Sequence, residues 1–187
     1  MTPPVHADRE LTDAIDRARR GDAEALGVLY ARYQPRVRGY VKGLLGDRHE
    51  ADDITQQLFA RLGPALERYE PRSASFSAWI LRVARNAALD RLRARATLPL
   101  DELGSAPAAW DDTTHLERRA CLHQALAALP AEQRQVVLMR HVVGLTTPEI
   151  AAALGRTEGS VHALHHRGRA GLRRRLGELG IAPAVNT

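Results

Sequence analysis

The stretch "TTPEIAAALGRTEGSVHALHH" (Thr146–His166) decides the fold of the C-terminal part of this chain. Thr146 and Glu149 stand at the spacing of a capping box, which marks the start of a helix. Gly155 permits a tight turn, and Thr157 is placed to cap the helix that follows. Small residues in the first helix, a glycine at the turn and a β-branched residue early in the second helix are typical of a helix-turn-helix. The sequence therefore predicts this motif.

The second helix continues as "VHALHHRGRAGLRRRL" (Val161–Leu176), in which three histidines precede a run of arginines. At 100° per residue, His162 and His166 lie on an exposed flank with arginines, whereas His165 borders the core. Two outward histidines without a third protein ligand make a poor metal site, so we expect neither metal binding nor catalysis here. The predicted buried stripe consists of Val161, Leu164, Gly168, Leu172 and Leu176.

The helix that follows the turn in this motif is the one that enters the major groove of DNA. We therefore favour DNA contact over the alternative of a merely solvated helix face. Arg173, Arg174 and Arg175 lie far along the helix and suit DNA-backbone contact or solvation. The positions expected to approach bases or nearby phosphates are Arg156, Thr157, Glu158, Ser160, His162, Ala163, His166 and Arg167.

The composition is compatible with a nucleic-acid-binding protein. The chain has 187 residues and a formal charge of +5, and of its 27 basic residues only Lys42 is a lysine. Arginine suits phosphate and base edges, although a GC-rich genome would produce the same bias. Cys121 is the only cysteine, which excludes an intrachain disulfide and a cysteine-ligated zinc cluster. With no signal-peptide or membrane-spanning pattern, we expect a soluble cytoplasmic protein without membrane insertion.

Helical periodicity runs through nearly every long segment, and no segment alternates long enough to predict a strand. We therefore predict an all-α protein. Gly21 and Gly46 are expected to end helices, and Pro35 is expected to separate two. The expected N-terminal helices are a first from Leu11 to Gly21, a second from Ala25 to Pro35, a third from Val37 to Leu45, a fourth over His49–Leu62 and a fifth over Phe76–Arg95.

A change of composition divides the chain. The stretch "TLPLDELGSAPAAWDDTT" (Thr97–Thr114) has two prolines, a glycine and four carboxylates, with no basic residue. These features predict a flexible acidic linker. The expected architecture is two small helical domains, at 1–96 and 115–187, joined by residues 97–114, with the helix-turn-helix in the second domain.

The blocks "HEADDITQQLFARL" (His49–Leu62) and "FSAWILRVARNAALDRLRAR" (Phe76–Arg95) resemble region two of bacterial RNA polymerase sigma factors. The block from Leu122 to Leu176, which includes the helix-turn-helix, resembles region four of the same proteins. A short linker between the two regions, with no region three, is similar to the extracytoplasmic-function (ECF) class. The resemblance covers roughly 22–96 and 116–176, and it rests on two independent blocks in the expected order.

The resemblance implies a DNA-binding transcription initiation factor with core RNA polymerase and promoter DNA as partners, and an anti-sigma factor as a further candidate. It implies no catalytic residue, cofactor or metal. The helix over Glu50–Leu62 would bind the polymerase clamp, the loop Leu66–Ser75 would accept a flipped base, and the helix-turn-helix would read the minus-thirty-five element. The implied polymerase contacts are Asp52, Asp53, Gln56 and Gln57. The implied minus-ten contacts are Tyr69, Arg82, Arg85, Asn86, Arg91 and Arg93.

Two other classes of function remain open at this point. A free-standing helix-turn-helix regulator would bind duplex DNA without polymerase, although the block around Asp53 and Gln56 argues against it. A metal-dependent enzyme would use the histidine cluster, although this cluster has no evident third ligand. Core binding and metal content are the observations that separate these classes from a sigma factor.

Overall fold

The computed structural model describes residues 5–71, 75–96 and 113–181 of the chain. Every regular element in these ranges is helical, which confirms the all-α class predicted from the sequence. The elements in chain order are α1 (Val5–Arg19), α2 (Ala23–Leu45), α3 (Arg48–Ala60), α4 (Leu62–Leu66), α5 (Phe76–Ala96), α6 (Thr113–Ala127), α7 (Ala131–Leu138), a π-helical turn (Met139–Val143), α8 (Thr147–Leu154) and α9 (Glu158–Glu178).

Helix α2 is continuous through Pro35, so the predicted break at this residue is wrong. A proline inside a helix removes one hydrogen bond and costs about 3 kcal/mol. Pro35 itself is exposed, whereas Leu29, Tyr33, Val37 and Tyr40 form a buried stripe that crosses its position. Burial of each large apolar side chain contributes roughly 1.5–3 kcal/mol, so the stripe outweighs the lost hydrogen bond.

The chain after α2 turns sharply and starts α3. Gly46 has a left-handed backbone at φ 74°, and the Asp47 side chain accepts a hydrogen bond from the Glu50 N–H at 3.0 Å. The predicted helix over His49–Leu62 corresponds to α3 with a shift of one or two residues. After α3, Leu62–Leu66 forms the short helix α4, although this stretch contains Gly63 and Pro64.

An aromatic cluster anchors α5 to the rest of the N-terminal helices. Phe76, at the start of α5, has its ring centroid 4.8 Å from that of Tyr33 and 5.4 Å from those of Tyr69 and Trp79. All four side chains are buried. Since edge-to-face aromatic pairs contribute about 0.5–1.5 kcal/mol beyond their area, this cluster fixes the direction in which α5 leaves the core.

The C-terminal helices α6 to α9 contain the helix-turn-helix and one irregularity. Helix α7 widens into the π-helical turn before Gly144 (φ 83°) ends it. Helix α6 begins at Thr113, so the last two residues of the predicted linker are helical. The rest of the linker, residues 97–112, lies outside the described residues.

The N-terminal helices (α1–α5) and the C-terminal helices (α6–α9) contact one another. Their buried apolar residues form one continuous cluster. Helix α5 packs against α8, and α2 packs against α6, α7 and the π-helical turn. The helix that is expected to contact the minus-ten element therefore lies beside the helix-turn-helix.

Candidate nucleic-acid and polymerase interfaces

The helix-turn-helix has the geometry that its sequence predicts. The Thr146 backbone N–H donates to Glu149 Oε2 at 2.8 Å, and the Glu149 N–H donates to Thr146 Oγ1 at 3.4 Å, which completes the capping box. Gly155 has a left-handed backbone at φ 63°. The Thr157 side chain accepts from the Ser160 N–H at 3.3 Å and starts α9. These local contacts hold α9 at a fixed angle to α8.

The two faces of α9 differ as predicted. Val161, Leu164 and Gly168 are buried, and Leu172 and Leu176 are half-buried. Four of the predicted DNA contacts on the opposite flank are exposed, namely Glu158, His162, His166 and Arg167. The Ser160 and Ala163 side chains are half-buried at the edge of this flank. A polar and cationic surface therefore follows directly after the capped turn.

The residues of the turn have different environments. Thr157 is exposed, but its hydroxyl also serves as the helix cap. Arg156 is exposed and forms an ion pair with Glu132 at the start of α7. A phosphate that binds Arg156 would therefore have to displace Glu132 from its guanidinium. Arg167, by contrast, is exposed on the open flank of α9.

His165 contacts a histidine that the sequence did not single out. Its Nε2 lies 3.0 Å from Nε2 of His141, and the two rings stack with centroids 5.2 Å apart. His141 belongs to the π-helical turn, whose wider winding changes the angular position of each residue. An angular projection with α-helical period therefore could not place His141 beside α9.

Burial lowers the pKa of both His141 and His165, and positive neighbours lower both pKa values further. Arg140 and Arg169 act on both rings, and His162 acts on His165. One neutral ring can donate its N–H to the other, but two charged rings at 3.0 Å repel each other. The contact between the π-helical turn and α9 is therefore one that acid weakens.

We expect the free energy of unfolding to fall as the pH drops below 6.5, the ordinary histidine value. A lowered folded-state pKa means that the unfolded chain takes up the proton first, so acid favours unfolding. Urea unfolding between about pH 7.5 and about pH 5.5 measures this slope. His165→Gln should reduce this slope, because it removes one of the two rings whose pKa is lowered. A slope as steep in His165→Gln as in the unmodified chain would contradict the assigned role of the pair.

The predicted polymerase-binding residues of α3 divide into two groups. Asp53, Gln56 and Gln57 are exposed. Asp52 is half-buried, and its carboxylate accepts from Arg38 Nη2 at 3.0 Å and lies 3.7 Å from Arg48 Nε. The hydrogen bond from Arg38 is the main cause that lowers the pKa of Asp52. Asp52 therefore ties α3 to α2, and the open polar surface consists of the other three residues.

The predicted minus-ten residues on α5 are also in different environments. Arg82 and Asn86 are exposed. Arg85 is half-buried, and its Nε donates to Gln135 Oε1 at 3.1 Å. Arg91 Nε lies 3.0 Å from Glu50 Oε1, and the exposed Arg93 Nη1 lies 2.7 Å from Asp90 Oδ1. Of the five, Arg82 and Asn86 form the most open pair.

The predicted base-stacking residue Tyr69 is only 5% exposed. Its ring lies within the aromatic cluster, and the Arg19 guanidinium carbon is 5.6 Å from its centroid. Arg19 also donates to the carbonyls of Leu66 and Tyr69. A cavity of about 680 Å³ adjoins this loop and is lined by Arg19, Glu67, Tyr69, Glu70 and Pro71. In this conformation a base would meet the cavity wall rather than an open tyrosine face.

Other kinds of site are not seen in the described ranges. Within residues 5–71, 75–96 and 113–181, no three His, Cys, Asp or Glu side chains come together as metal ligands would. In the same part of the chain, none of the helices has the length and apolar character needed to cross a bilayer.

Two family models match the chain, one on each side of the predicted linker. Sigma-70 region 2 matches residues 29–97, and Sigma-70 region 4 matches residues 119–172. The first range contains the exposed face of α3 and all of α5, and the second contains α8 and most of α9. The two matched regions therefore define a transcription factor of the sigma-70 type, and sigma factors are not enzymes.

Curated relatives and solved structures agree with these matches. The RNA polymerase sigma factor CarQ of Myxococcus xanthus is 34% identical, over 91% of this chain and 99% of that protein. The ECF RNA polymerase sigma factor ShbA of Streptomyces griseus is 32% identical, over 85% of this chain and 91% of that protein. The structure of CnrH in complex with the cytosolic domain of CnrY has a TM-score of 0.71 at 25% identity, over 88% of this chain and 96% of that one.

The chain belongs to the family of ECF RNA polymerase sigma factors, and it serves in the initiation of transcription. The family implies core RNA polymerase and promoter DNA as partners. A free-standing helix-turn-helix regulator is not favoured, because the matches include region 2 as well as the helix-turn-helix.

Proposed function

We propose that this protein directs core RNA polymerase to promoters by holding the two promoter elements with two separate domains. The domain at 1–96 binds core polymerase and the minus-ten element, and the domain at 115–187 binds the minus-thirty-five element. Residues 97–114 connect them. The protein contributes recognition and has no catalytic activity of its own, and it acts in the cytoplasm, where its polymerase is.

The observation that carries this proposal is the open, cationic flank of α9 directly after a capped turn. Glu158, His162, His166 and Arg167 are exposed there, while the opposite face is buried against α7 and α8. A helix held in this way can enter the major groove with its first turns toward base edges. The predicted contacts Arg156, Thr157, Ser160 and Ala163 border the same flank.

Helices α3 and α5 supply the other two contacts. Asp53, Gln56 and Gln57 offer an uncommitted polar surface on α3 for the polymerase. Arg82 and Asn86 are exposed on α5 for minus-ten DNA, and Arg91 and Arg93 can exchange their present carboxylate partners for phosphate.

We further propose an anti-sigma factor as a partner. The sigma factor RpoE of Bartonella quintana, solved in complex with the anti-sigma factor NepR, has the same fold, with a TM-score of 0.64 at 19% identity over 81% of this chain and 96% of that one.

Run-off transcription with purified core polymerase on a fragment library of promoters tests the proposal. The full chain should give discrete transcripts, and Arg167→Ala should reduce them about tenfold, since a good base contact is worth about 1–3 kcal/mol. Arg174→Ala, on the same helix but further from the turn, should reduce them less than Arg167→Ala does, because it removes at most a DNA-backbone contact. Absence of both transcripts and core binding by the folded protein would reject the proposal.

A further inference from the structure

A carboxylate at the start of α3 binds the end of α5. Glu50 Oε1 accepts a hydrogen bond from Arg95 Nε at 3.0 Å, and Glu50 Oε2 lies 2.5 Å from Arg95 Nη2. Two parallel contacts of this kind match the planar guanidinium to both carboxylate oxygens and fix its direction. Asp47, the residue that caps α3, adds a longer contact of 3.7 Å from its Oδ2 to the same Nη2. We call the pair of Glu50 and Arg95 the α3–α5 fork.

The fork is largely shielded from water. The side chains of Glu50 and Arg95 are 15% and 25% exposed. Arg91 Nε also donates to Glu50 Oε1 at 3.0 Å, but the Arg91 side chain is 53% exposed. Because Arg95 has two contacts of its own with Glu50, Arg91 can leave for a DNA phosphate without breaking the fork. Removing one partner of a shielded ion pair is costly, whereas an exposed pair contributes little to stability.

The last two turns of α5 depend on the fork, because apolar packing is weak there. Ala84 and Ala88 are buried on the inner side of the helix. Of residues 89–95, all of which the structure describes, none is fully buried, and Leu92 is half-buried. At 100° per residue, Arg95 lies within about 20° of Ala84 and Ala88. Arg95 therefore extends the inner side of α5 beyond the apolar core, and Glu50 binds it there.

A different side of α5 has the exposed residues that we assign to minus-ten DNA. Arg82, Asn86 and Arg93 lie at i, i+4 and i+11, a spacing that places them within about 40° of one another. Arg82 and Asn86 belong to the part of α5 that the core holds. Arg93 lies in the last two turns, and its carboxylate partner Asp90 is on the same helix. The position of Arg93 relative to the other two is therefore set by the fork.

We propose that Glu50 is a positioning residue for minus-ten recognition: its fork with Arg95 fixes the end of α5 on α3 and holds Arg93 in place for the DNA backbone. Glu50 itself does not touch DNA. The inference rests on the proposed function, since it assigns α5 to the minus-ten element. Because α3 also has the proposed polymerase contacts, the fork sets the position of Arg93 relative to the polymerase as well.

Glu50→Gln tests this role, because it removes the charge and keeps the size of the side chain. The variant is assembled with core polymerase and titrated with a single-stranded non-template oligonucleotide. This oligonucleotide spans the minus-ten element of a promoter that gives a run-off transcript with the unmodified chain. We expect about tenfold weaker binding of the oligonucleotide, the effect of losing one hydrogen bond to a charged group. Core affinity should be unchanged, since Asp53, Gln56 and Gln57 stay exposed on α3.

Glu24→Gln is the matched control for this substitution. Glu24 is also in the first turn of a helix, and its Oε2 lies 2.8 Å from Arg17 Nη2, so the pair joins α2 to α1. The same charge is removed, but no contact of α5 is lost. Oligonucleotide binding by Glu24→Gln should therefore equal that of the unmodified chain.

A double-mutant cycle separates positioning from general destabilisation. Arg93→Ala removes the side chain through which the fork is proposed to act, so Glu50→Gln should weaken binding no further in the Arg93→Ala background. Additive losses in the double variant, unchanged binding in Glu50→Gln alone, or an equal loss of core affinity would each overturn the proposal. Failure of the unmodified chain to bind core polymerase or to give any transcript would instead reject the proposed function.

Hydrogen exchange of the free protein tests the fork without DNA or polymerase. Glu50→Gln should speed amide exchange in residues 89–95, because local opening of the helix end becomes easier. The start of α5, where Phe76 and Trp79 are buried, should exchange as in the unmodified chain. Equal exchange at the end of α5 in the variant and the unmodified chain would show that the fork does not hold this end.

Discussion

Replacing Asp53 by arginine is expected to weaken binding to core RNA polymerase by about thirtyfold, or about 2 kcal/mol. Asp53 is exposed on α3, beside the exposed Gln56 and Gln57. A charge reversal at the proposed contact both removes an attractive group and adds a repulsive one. The fold should be preserved, because the buried residues that position α3 are on its other face, among them Ile54 and Leu58. Titration of labelled core polymerase with the variant measures the affinity.

Asp13→Arg is the matched control for this prediction, because it reverses an exposed carboxylate on α1, away from α3. It should change core affinity less than threefold, and both variants should unfold at the same urea concentration as the unmodified chain. Asp52 is a poorer choice for the same test, since its carboxylate binds Arg38 within the protein. Unchanged core affinity in Asp53→Arg would show that this face of α3 does not bind the polymerase.

Gly168→Ala is expected to destabilise the C-terminal helices by about 2 kcal/mol. A Cβ at this position would lie 2.8 Å from Val137 Cγ2 and 3.2 Å from the backbone oxygen of Gln133. Val137 is buried and short, and the Gln133 backbone is part of α7, so neither can move aside without shifting the helix. Overpacking of this kind costs about 1–3 kcal/mol. Urea unfolding followed by circular dichroism gives the difference.

Gly177→Ala on the same helix should have the opposite effect. Its added Cβ would have nothing within 4 Å, and alanine is favoured over glycine in a helix by about 0.5–1 kcal/mol. The two substitutions are chemically identical, so their difference isolates the contact between α9 and α7. Stabilisation by both would mean that α9 does not pack closely against α7 at Gly168.

The helix-turn-helix could be predicted from the sequence because its signals are local. A capping box needs only Thr146 and Glu149 at the right spacing, and a left-handed turn favours Gly155. The buried stripe of α9 follows from helical period alone. Each of these features is determined by residues within one or two turns of one another.

The features that the sequence did not predict depend on distant parts of the chain. Pro35 suggests a helix break, but a stripe of core contacts along α2 overrides this local preference. The pairing of His141 with His165 depends on a π-helical turn, for which no simple sequence pattern exists. Tyr69 is a plausible stacking residue in isolation, but the rings of Phe76 and Trp79 pack against it and it is buried.

The carboxylate of Glu149 uses its two oxygens for different purposes. Oε2 accepts from the Thr146 N–H and hydroxyl, and Oε1 accepts from Ser75. If Ser75 moved away, Glu149 Oε1 would bind water instead. The hydrogen bonds from Thr146 to Oε2, which start α8, would stay in place. The helix-turn-helix is thus self-supporting at its first residue, because the capping box between Thr146 and Glu149 does not include Ser75.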